Sequence, residues 1–164
     1  MAPRTSLDTA TRFRADMERL KRCTAGLSQQ QHQSAMYDGW TAKEMLAHIA
    51  AWDRELVRGL DELLAGRRPA FAGYSEAQFN ARVVEASRAT PFADVLAELG
   101  EAHETLVGRI EALTDEEWRQ SSPLRWGNGT LMTVASLFDY TYKGKTHYGG
   151  HAREIEEWAQ RSEV

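Results

Sequence analysis

The spacing of the apolar residues constrains the fold of this chain more than any other feature. In four long stretches they recur every three or four positions, which places them on one face of an α-helix. The four prolines, Pro3, Pro69, Pro91 and Pro123, all fall at ends or in connections of this pattern. No stretch alternates strictly between apolar and polar residues, so the sequence predicts an all-α protein without strands.

The first two long helices have clear boundaries. The first is predicted over Ser6 to Ala25, with Gly26 as its stop. The second begins at a T-x-x-E capping box formed by Thr41 and Glu44 and ends at Gly66. The apolar stripes of these two helices are Leu7, Ala10, Phe13, Met17 and Leu20, and Met45, Ile49, Trp52, Leu56, Leu60 and Leu63.

The third long helix begins at a proline, and the fourth follows a glycine-containing loop. The third is predicted to begin with Thr90 as its cap and Pro91 at the first helical position. The fourth is predicted over Thr130 to Gln160, after a loop from Gln120 to Gly129. Their stripes are Phe92, Val95, Leu96, Leu99, Leu106, Ile110 and Leu113, and Val134, Leu137, Thr141, Gly144, Tyr148, His151, Ile155 and Trp158.

The connections carry shorter helices. Ser75 with Gln78 and Thr114 with Glu117 are capping-box pairs that open them. Four long helices, each with one apolar face, pack most simply as a four-helix bundle. We therefore expect residues 1–164 to form one bundle domain with short extra helices in its connections.

Composition excludes several classes of protein. The net charge of −4 argues against a dedicated nucleic-acid binder, which would show a basic stripe. Cys23 is the one cysteine, so the chain can form no internal disulfide or cysteine-rich zinc site. The absence of a long apolar stretch argues against a membrane span, and the first eleven residues lack a signal sequence. We expect a cytoplasmic protein.

Three of the five histidines suggest a metal site. His147 and His151 are four residues apart, so both imidazoles lie on one helical face and can reach a single ion. His151 also falls in the apolar stripe, and His48 lies beside the stripe of the second helix. Three imidazoles leave a coordination position open, as in catalytic metal sites. Zinc, nickel, iron(II) and copper all suit such ligands.

A simpler interpretation of these histidines remains open. His48 is then a core-edge histidine hydrogen-bonded to Glu44 or to a backbone carbonyl, and His147 is a solvated surface residue. His103 has no spaced partner and is interpreted as structural, while His32 lies in a polar connection and receives no role.

Other residues near the histidines are candidates for catalysis or substrate binding. Three glycines, Gly144, Gly149 and Gly150, fall inside the predicted last helix, where each costs about 1 kcal/mol relative to alanine. They indicate room for a substrate or close helix packing, or else a kink. Tyr148 and Glu44 are the candidate catalytic groups, although the capping box already explains Glu44. The candidate pocket residues are Trp52, Tyr140, Gly144 and Trp126.

Three segments of the chain resemble the DinB/YfiT-like superfamily. The stretch from Gly39 to Trp52 resembles the helix-two signature of that family, and Tyr142 to Trp158 resembles its last helix. Leu113 to Trp118 resembles its short turn before the loop. Within the superfamily, Tyr142 to Trp158 and Phe79 to Arg82 are most similar to the ClbS/DfsB-type branch.

The resemblance implies a four-helix bundle with up-down-down-up topology, often a homodimer. It implies a divalent metal ion held by His48, His147 and His151, and an activity on small molecules that in some members uses a low-molecular-weight thiol. We therefore expect a metal-dependent hydrolase or thiol transferase acting on an electrophilic metabolite or toxin. The alternative is a protein of the ClbS type that binds and sequesters a small molecule without turnover.

Overall fold

The computed structural model describes residues 4–140 and 146–161 and is dominated by four long helices. These are α1 (Ser6–Ala25), α3 (Ala42–Leu64), α5 (Phe92–Glu111) and α7 (His147–Arg161). The connections contain α2 (Gln29–Gln33), α4 (Glu76–Ser87), α6 (Asp115–Arg119) and the strands β1 (Ser121–Arg125) and β2 (Leu131–Thr133). Three 3-10 turns lie at Tyr37–Gly39, Ala70–Gly73 and Ala135–Phe138.

Side-chain caps set several of the helix starts. Thr41 accepts a hydrogen bond from the Glu44 amide, and the Glu44 carboxylate accepts one from the Thr41 amide at 2.7 Å. The predicted box at Thr114 and Glu117 is present at the start of α6. Each pair satisfies two amides that the first turn of a helix leaves without partners. The predicted limits of α1 and the predicted start of α3 are confirmed.

Helices α3 and α5 run parallel. Lys43, near the start of α3, donates to the Thr90 carbonyl just before α5 at 2.9 Å. Further along, Arg54 pairs with Glu98 at 3.2 Å, and Asp61 pairs with Arg109. Since residue numbers rise together along both helices, their axes point the same way.

Helices α1 and α7 are parallel by the same criterion. Thr146, just before α7, donates to Asp16, and Arg19 pairs with Glu156 at 2.6 Å. Trp118, which follows the end of α5, donates to the carbonyl of Arg4 just before α1 at 2.8 Å. This contact brings the end of α5 next to the start of α1, so these two helices are antiparallel. The bundle therefore has the up-down-down-up order that the family resemblance implies.

The prediction of a strand-free chain is wrong at one place. β1 and β2 form an antiparallel hairpin, closed by hydrogen bonds from the Trp126 amide to the Thr130 carbonyl and from the Gly129 amide to the Trp126 carbonyl, both 2.9 Å. Gly129 has φ of 84°, in the left-handed region that glycine adopts readily. Asn128 accepts hydrogen bonds from the Thr130 amide and hydroxyl. The glycines and asparagine thus make a tight turn within the segment predicted as a loop.

The predicted start of the last helix at Thr130 is also wrong, because α7 begins at His147. Thr146 caps α7: its hydroxyl accepts a hydrogen bond from the Gly149 amide at 3.0 Å. Val134 and Leu137 are buried as the stripe requires, but they reach the core from the end of the hairpin and from a 3-10 turn. The stripe positions Thr141 and Gly144 lie outside the described residues.

Two residues of the predicted apolar stripes are exposed, and one predicted helix cap lies one position away. Leu7 is 62% exposed and Leu96 39% exposed, since each lies at the edge of its helix's apolar face. α5 begins at Phe92 with Pro91 as its cap residue, one position later than predicted. Among the described residues, no helix is long and apolar enough to cross a membrane.

Gly59 offers a test of how the connection after α3 packs. A Cβ atom at Gly59 would lie 3.1 Å from Phe71 Cδ1 and 3.3 Å from Pro69 Cβ. We expect Gly59→Ala to be less stable than Gly108→Ala by at least about 1 kcal/mol, because Gly108 lies in α5 with open space around it and gains the helical preference of alanine. Urea denaturation of both variants measures this difference. Equal gains in unfolding free energy would contradict the packing of Phe71 against α3.

Candidate metal centre

The three predicted histidines converge between α3 and α7. His147 Nε2 lies 2.9 Å from His48 Nε2 and 3.1 Å from His151 Nε2. The three potential ligand atoms all lie within 4.8 Å of one another. His48 is on the second turn of α3, while His147 and His151 are one turn apart at the start of α7. The alternative of a solvated His147 does not hold, since its ring touches both of the others.

Burial keeps two of the three histidines in the form that binds metal. His48 is 4% exposed and His151 5% exposed. Burial, assisted by the neighbouring His151, lowers the pKa of His48 to about 3. Burial and the other two histidines lower the pKa of His147 well below its ordinary value. A neutral imidazole has a free lone pair, which is the state that coordinates a cation.

A buried carboxylate orients one of the rings. His151 Nδ1 lies 2.9 Å from Oε2 of Glu154, which is 2% exposed. When Nδ1–H donates to this carboxylate, the lone pair of His151 is placed on Nε2, the atom that faces the other histidines. Such carboxylate–histidine pairs are a regular feature of metal sites. Glu154 was not among the predicted site residues, although its position three residues after His151 on one helical face was a usable signal.

The donor set fits a divalent cation. Three neutral imidazoles that direct lone pairs at one point repel each other unless a proton or a cation lies between them. A tetrahedral zinc ion with its usual bond lengths separates neighbouring ligand nitrogens by about 3.3 Å. The two Nε2 distances at His147 are within a few tenths of an ångström of that value. A small adjustment of these side chains therefore accommodates an ion.

A cavity of about 720 Å³ reaches this cluster through His147. Its wall is largely apolar and aromatic, which suits a small organic molecule. Among the residues on the wall are Trp52, Leu56, Phe71, Trp126, Leu137 and Phe138.

Aromatic side chains of four different segments meet on this wall. Trp52 of α3 lies edge-on to Phe71, with ring centroids 6.1 Å apart, and Phe71 stacks on Trp126 at 6.1 Å. Tyr140 is 56% exposed and lies edge-on to His147 at 6.0 Å. The candidate pocket residues Trp52, Trp126 and Tyr140 thus border one space, while Gly144 lies outside the described residues.

The candidate catalytic residue Tyr148 also borders the cavity, and its hydroxyl already has two partners. It donates to Asp53 and lies 3.1 Å from His103 Nδ1. Burial, followed by the charge of Asp53, raises the pKa of Tyr148 well above its ordinary value. His103 is 2% exposed, consistent with its structural interpretation. Asp53 was not among the predicted site residues, because it belongs to no motif.

Glu44 and His32 lie apart from this group. The hydrogen bonds of Glu44 go to Thr41 and, at 3.4 Å, to Arg88, so its carboxylate serves as the helix cap. The base role of Glu44 stays a prediction that these contacts do not favour. His32 packs edge-on to Phe92 at 4.7 Å. Gly149 and Gly150 lie in the first turn of α7, not in the interior of a long helix as predicted.

Comparison with protein families gives one clear match. The model of the DinB superfamily matches residues 11–155, which is most of the chain. A comparison with curated proteins finds no matching sequence.

Several solved structures share the fold at low sequence identity. YfiT from Bacillus subtilis, described as a probable metal-dependent hydrolase with an unusual four-helix bundle topology, is 18% identical with a TM-score of 0.66, covering 99% of this chain and 94% of that one. The colibactin self-resistance protein ClbS, in complex with dsDNA, is 13% identical with a TM-score of 0.70, covering 96% and 97%. An uncharacterised protein from Clostridium difficile 630 is 11% identical with a TM-score of 0.75, covering 98% of both chains.

The histidine cluster predicts uptake of one zinc or nickel ion per chain. We expect His48→Ala and His151→Ala each to lower the affinity by about 100-fold or more, because a protein ligand contributes at least as much as an outer-shell partner. Competition against a chromophoric chelator measures the affinity, with circular dichroism to verify folding. His32→Ala is the matched control and should bind like the parent. Undiminished metal content in folded His48→Ala and His151→Ala would exclude this site.

Glu154 gives a second test of the same site. We expect Glu154→Gln to weaken metal binding by about 10- to 100-fold, because the amide no longer holds Nδ1–H of His151 with a charged acceptor. Glu157→Gln, on the same helix but exposed and paired with Arg153 at 2.6 Å, is the control. The same competition assay compares them. Equal affinities in the two variants would show that Glu154 does not tune the cluster.

Proposed function

This chain belongs to the DinB superfamily, and from that premise we propose that it is a metal-dependent hydrolase of small organic molecules. The observation that supports the proposal is the three-histidine cluster at the edge of an aromatic cavity. The description of YfiT as a probable metal-dependent hydrolase with a four-helix bundle supports the same chemistry on this fold.

His48, His147 and His151 would hold the ion. A divalent cation bound there supplies Lewis-acid chemistry, which polarises a carbonyl and lowers the pKa of water. Three protein ligands are the number found in catalytic zinc sites, whereas structural sites are usually closed by four. The ligand set suits zinc, nickel and iron(II), and we propose zinc for the first measurement.

The chain's own residues would bind and orient the substrate. His147 is both a member of the cluster and part of the cavity wall, so a molecule in the cavity lies against the metal-binding face. Trp52, Phe71 and Trp126 provide rigid apolar surface that excludes water from the reacting group. The Tyr148 hydroxyl is committed to Asp53 and His103, so we propose that Tyr148 acts as a positioning residue.

Thiol transfer, the other activity predicted from the sequence, has less support than hydrolysis. Cys23 is half-buried and does not appear on the described wall of the cavity. Burial raises its pKa to about 11, so its thiolate is scarce at neutral pH. Any thiol used in a transfer would therefore have to come from a second substrate.

A sequestering protein is the second candidate, favoured by the size and aromatic lining of the cavity. It finds support in the resemblance of the fold to ClbS, which is a resistance protein. The ClbS structure includes dsDNA, whereas this chain carries a net charge of −4, and we retain a small molecule as the proposed ligand. A homodimer also remains a prediction, to be measured by light scattering.

Hydrolysis and sequestration give different results with one substrate panel. The zinc-loaded chain is incubated with aryl esters, lactones, epoxides and activated cyclopropanes, with and without glutathione. We expect metal-dependent turnover of at least one class, lost with a chelator and lowered about 100-fold or more by His147→Ala. His32→Ala should retain full activity. Stoichiometric binding without product would support sequestration, and turnover that survives metal removal would contradict the proposal.

A further inference from the structure

Asp53 is a buried carboxyl group with one oxygen left without a partner. It lies on α3 and is 1% exposed. Its Oδ2 accepts a hydrogen bond from the Tyr148 hydroxyl, but Oδ1 has no hydrogen-bond partner in the part of the chain that the structure describes. Buried polar atoms are nearly always paired, because an unpaired one costs about 1–3 kcal/mol, so this exception needs a reason.

The contacts of Tyr148 limit where a proton on Asp53 can lie. When Asp53 is ionised, His103 Nδ1–H donates to Tyr148, and Tyr148 donates to Oδ2. When Asp53 is protonated, the favourable place for its proton is Oδ2, where Tyr148 accepts it and donates in turn to His103. A proton on Oδ1 would have no acceptor among the described residues. Oδ1 is therefore an acceptor in both arrangements.

The same residue borders the cavity that reaches the histidine cluster. Asp53, Tyr148 and His147 all belong to its wall. Around them the wall is mainly apolar, so the cavity combines a large hydrophobic surface with a few fixed polar groups, as ligand pockets do. Oδ1 itself is covered by its neighbours, so a ligand in this cavity reaches it once a wall side chain moves aside. A polar group that is held in place without a partner beside such a cavity is suited to recognise a ligand.

We propose that Oδ1 of Asp53 is the acceptor with which the cavity selects its ligand, a mainly apolar molecule that carries an N–H or O–H donor. The proposal rests on the cavity being the substrate site of the proposed function. Tyr148 and His103 act as positioning residues, since they hold Oδ2 and thereby fix the direction of Oδ1. An apolar isostere that lacks the donor leaves Oδ1 unsatisfied and binds more weakly.

Carbazole and 9-methylcarbazole are matched probes for this proposal. They share one flat aromatic body, and only carbazole has an N–H; neither is a metal ligand of note. Fluorescence titration of the full chain, as purified, gives both dissociation constants. We expect carbazole to bind about 5-fold or more tightly than 9-methylcarbazole. In Asp53→Leu, which keeps the branched shape and removes the acceptor, this preference should disappear.

Asp61→Leu is the control, because Asp61 lies on the same helix but is exposed and paired with Arg109. It should keep the parent preference. Equal binding of both probes by the parent chain, or no binding of either, would overturn the proposal, and this comparison holds even if Asp53→Leu does not fold. A preference that survives in folded Asp53→Leu would also overturn it. Metal uptake and turnover are measured separately, so failure here with an intact metal site leaves the proposed hydrolase standing.

Discussion

The close approach of three imidazoles is the constraint that the arrangement of α3 and α7 satisfies. His147 Nε2 lies 2.9 Å from one neighbour and 3.1 Å from the other, and burial lowers the pKa of both His48 and His147. The cluster forms where the start of α7 lies against the second turn of α3. Thr146 helps to place the start of α7, since it caps this helix and donates to Asp16 of the neighbouring α1. The bundle therefore positions the cluster through cap and side-chain contacts.

The topology that produces the cluster also produces the cavity. Because α3 and α5 are parallel, the chain must return along the bundle between them, and that return passes through a 3-10 turn and α4. The turn carries Phe71, and the hairpin before α7 carries Trp126, which stacks on Phe71 at 6.1 Å. Connections that a simple up-down bundle would not need thus form the aromatic wall beside His147.

The sequence predicted local features well because each has a short signal of its own. The capping box at Thr41 and the i, i+4 spacing of His147 and His151 depend only on nearby residues, and both led to structures that are present. The hairpin was missed because an apolar stripe reports burial and not backbone conformation: Val134 and Leu137 are buried without being in an α-helix. Asp53 was missed because its environment comes from α5 and α7, which are distant in sequence.

Two adjacent residues at the start of α7, His147 and Tyr148, contact the two polar groups beside the cavity, which are the histidine cluster and Asp53. Successive helical side chains point about 100° apart, so His147 and Tyr148 cannot serve the same group. His147 turns to His48, whereas Tyr148 turns to Asp53, five residues further along α3. Both still border one cavity, which means that a single ligand can lie against the histidine cluster with one part and against Asp53 with another. The separation of these groups along α3 then limits the length of ligand that satisfies both, so selectivity follows from helix geometry as well as from the shape of the wall.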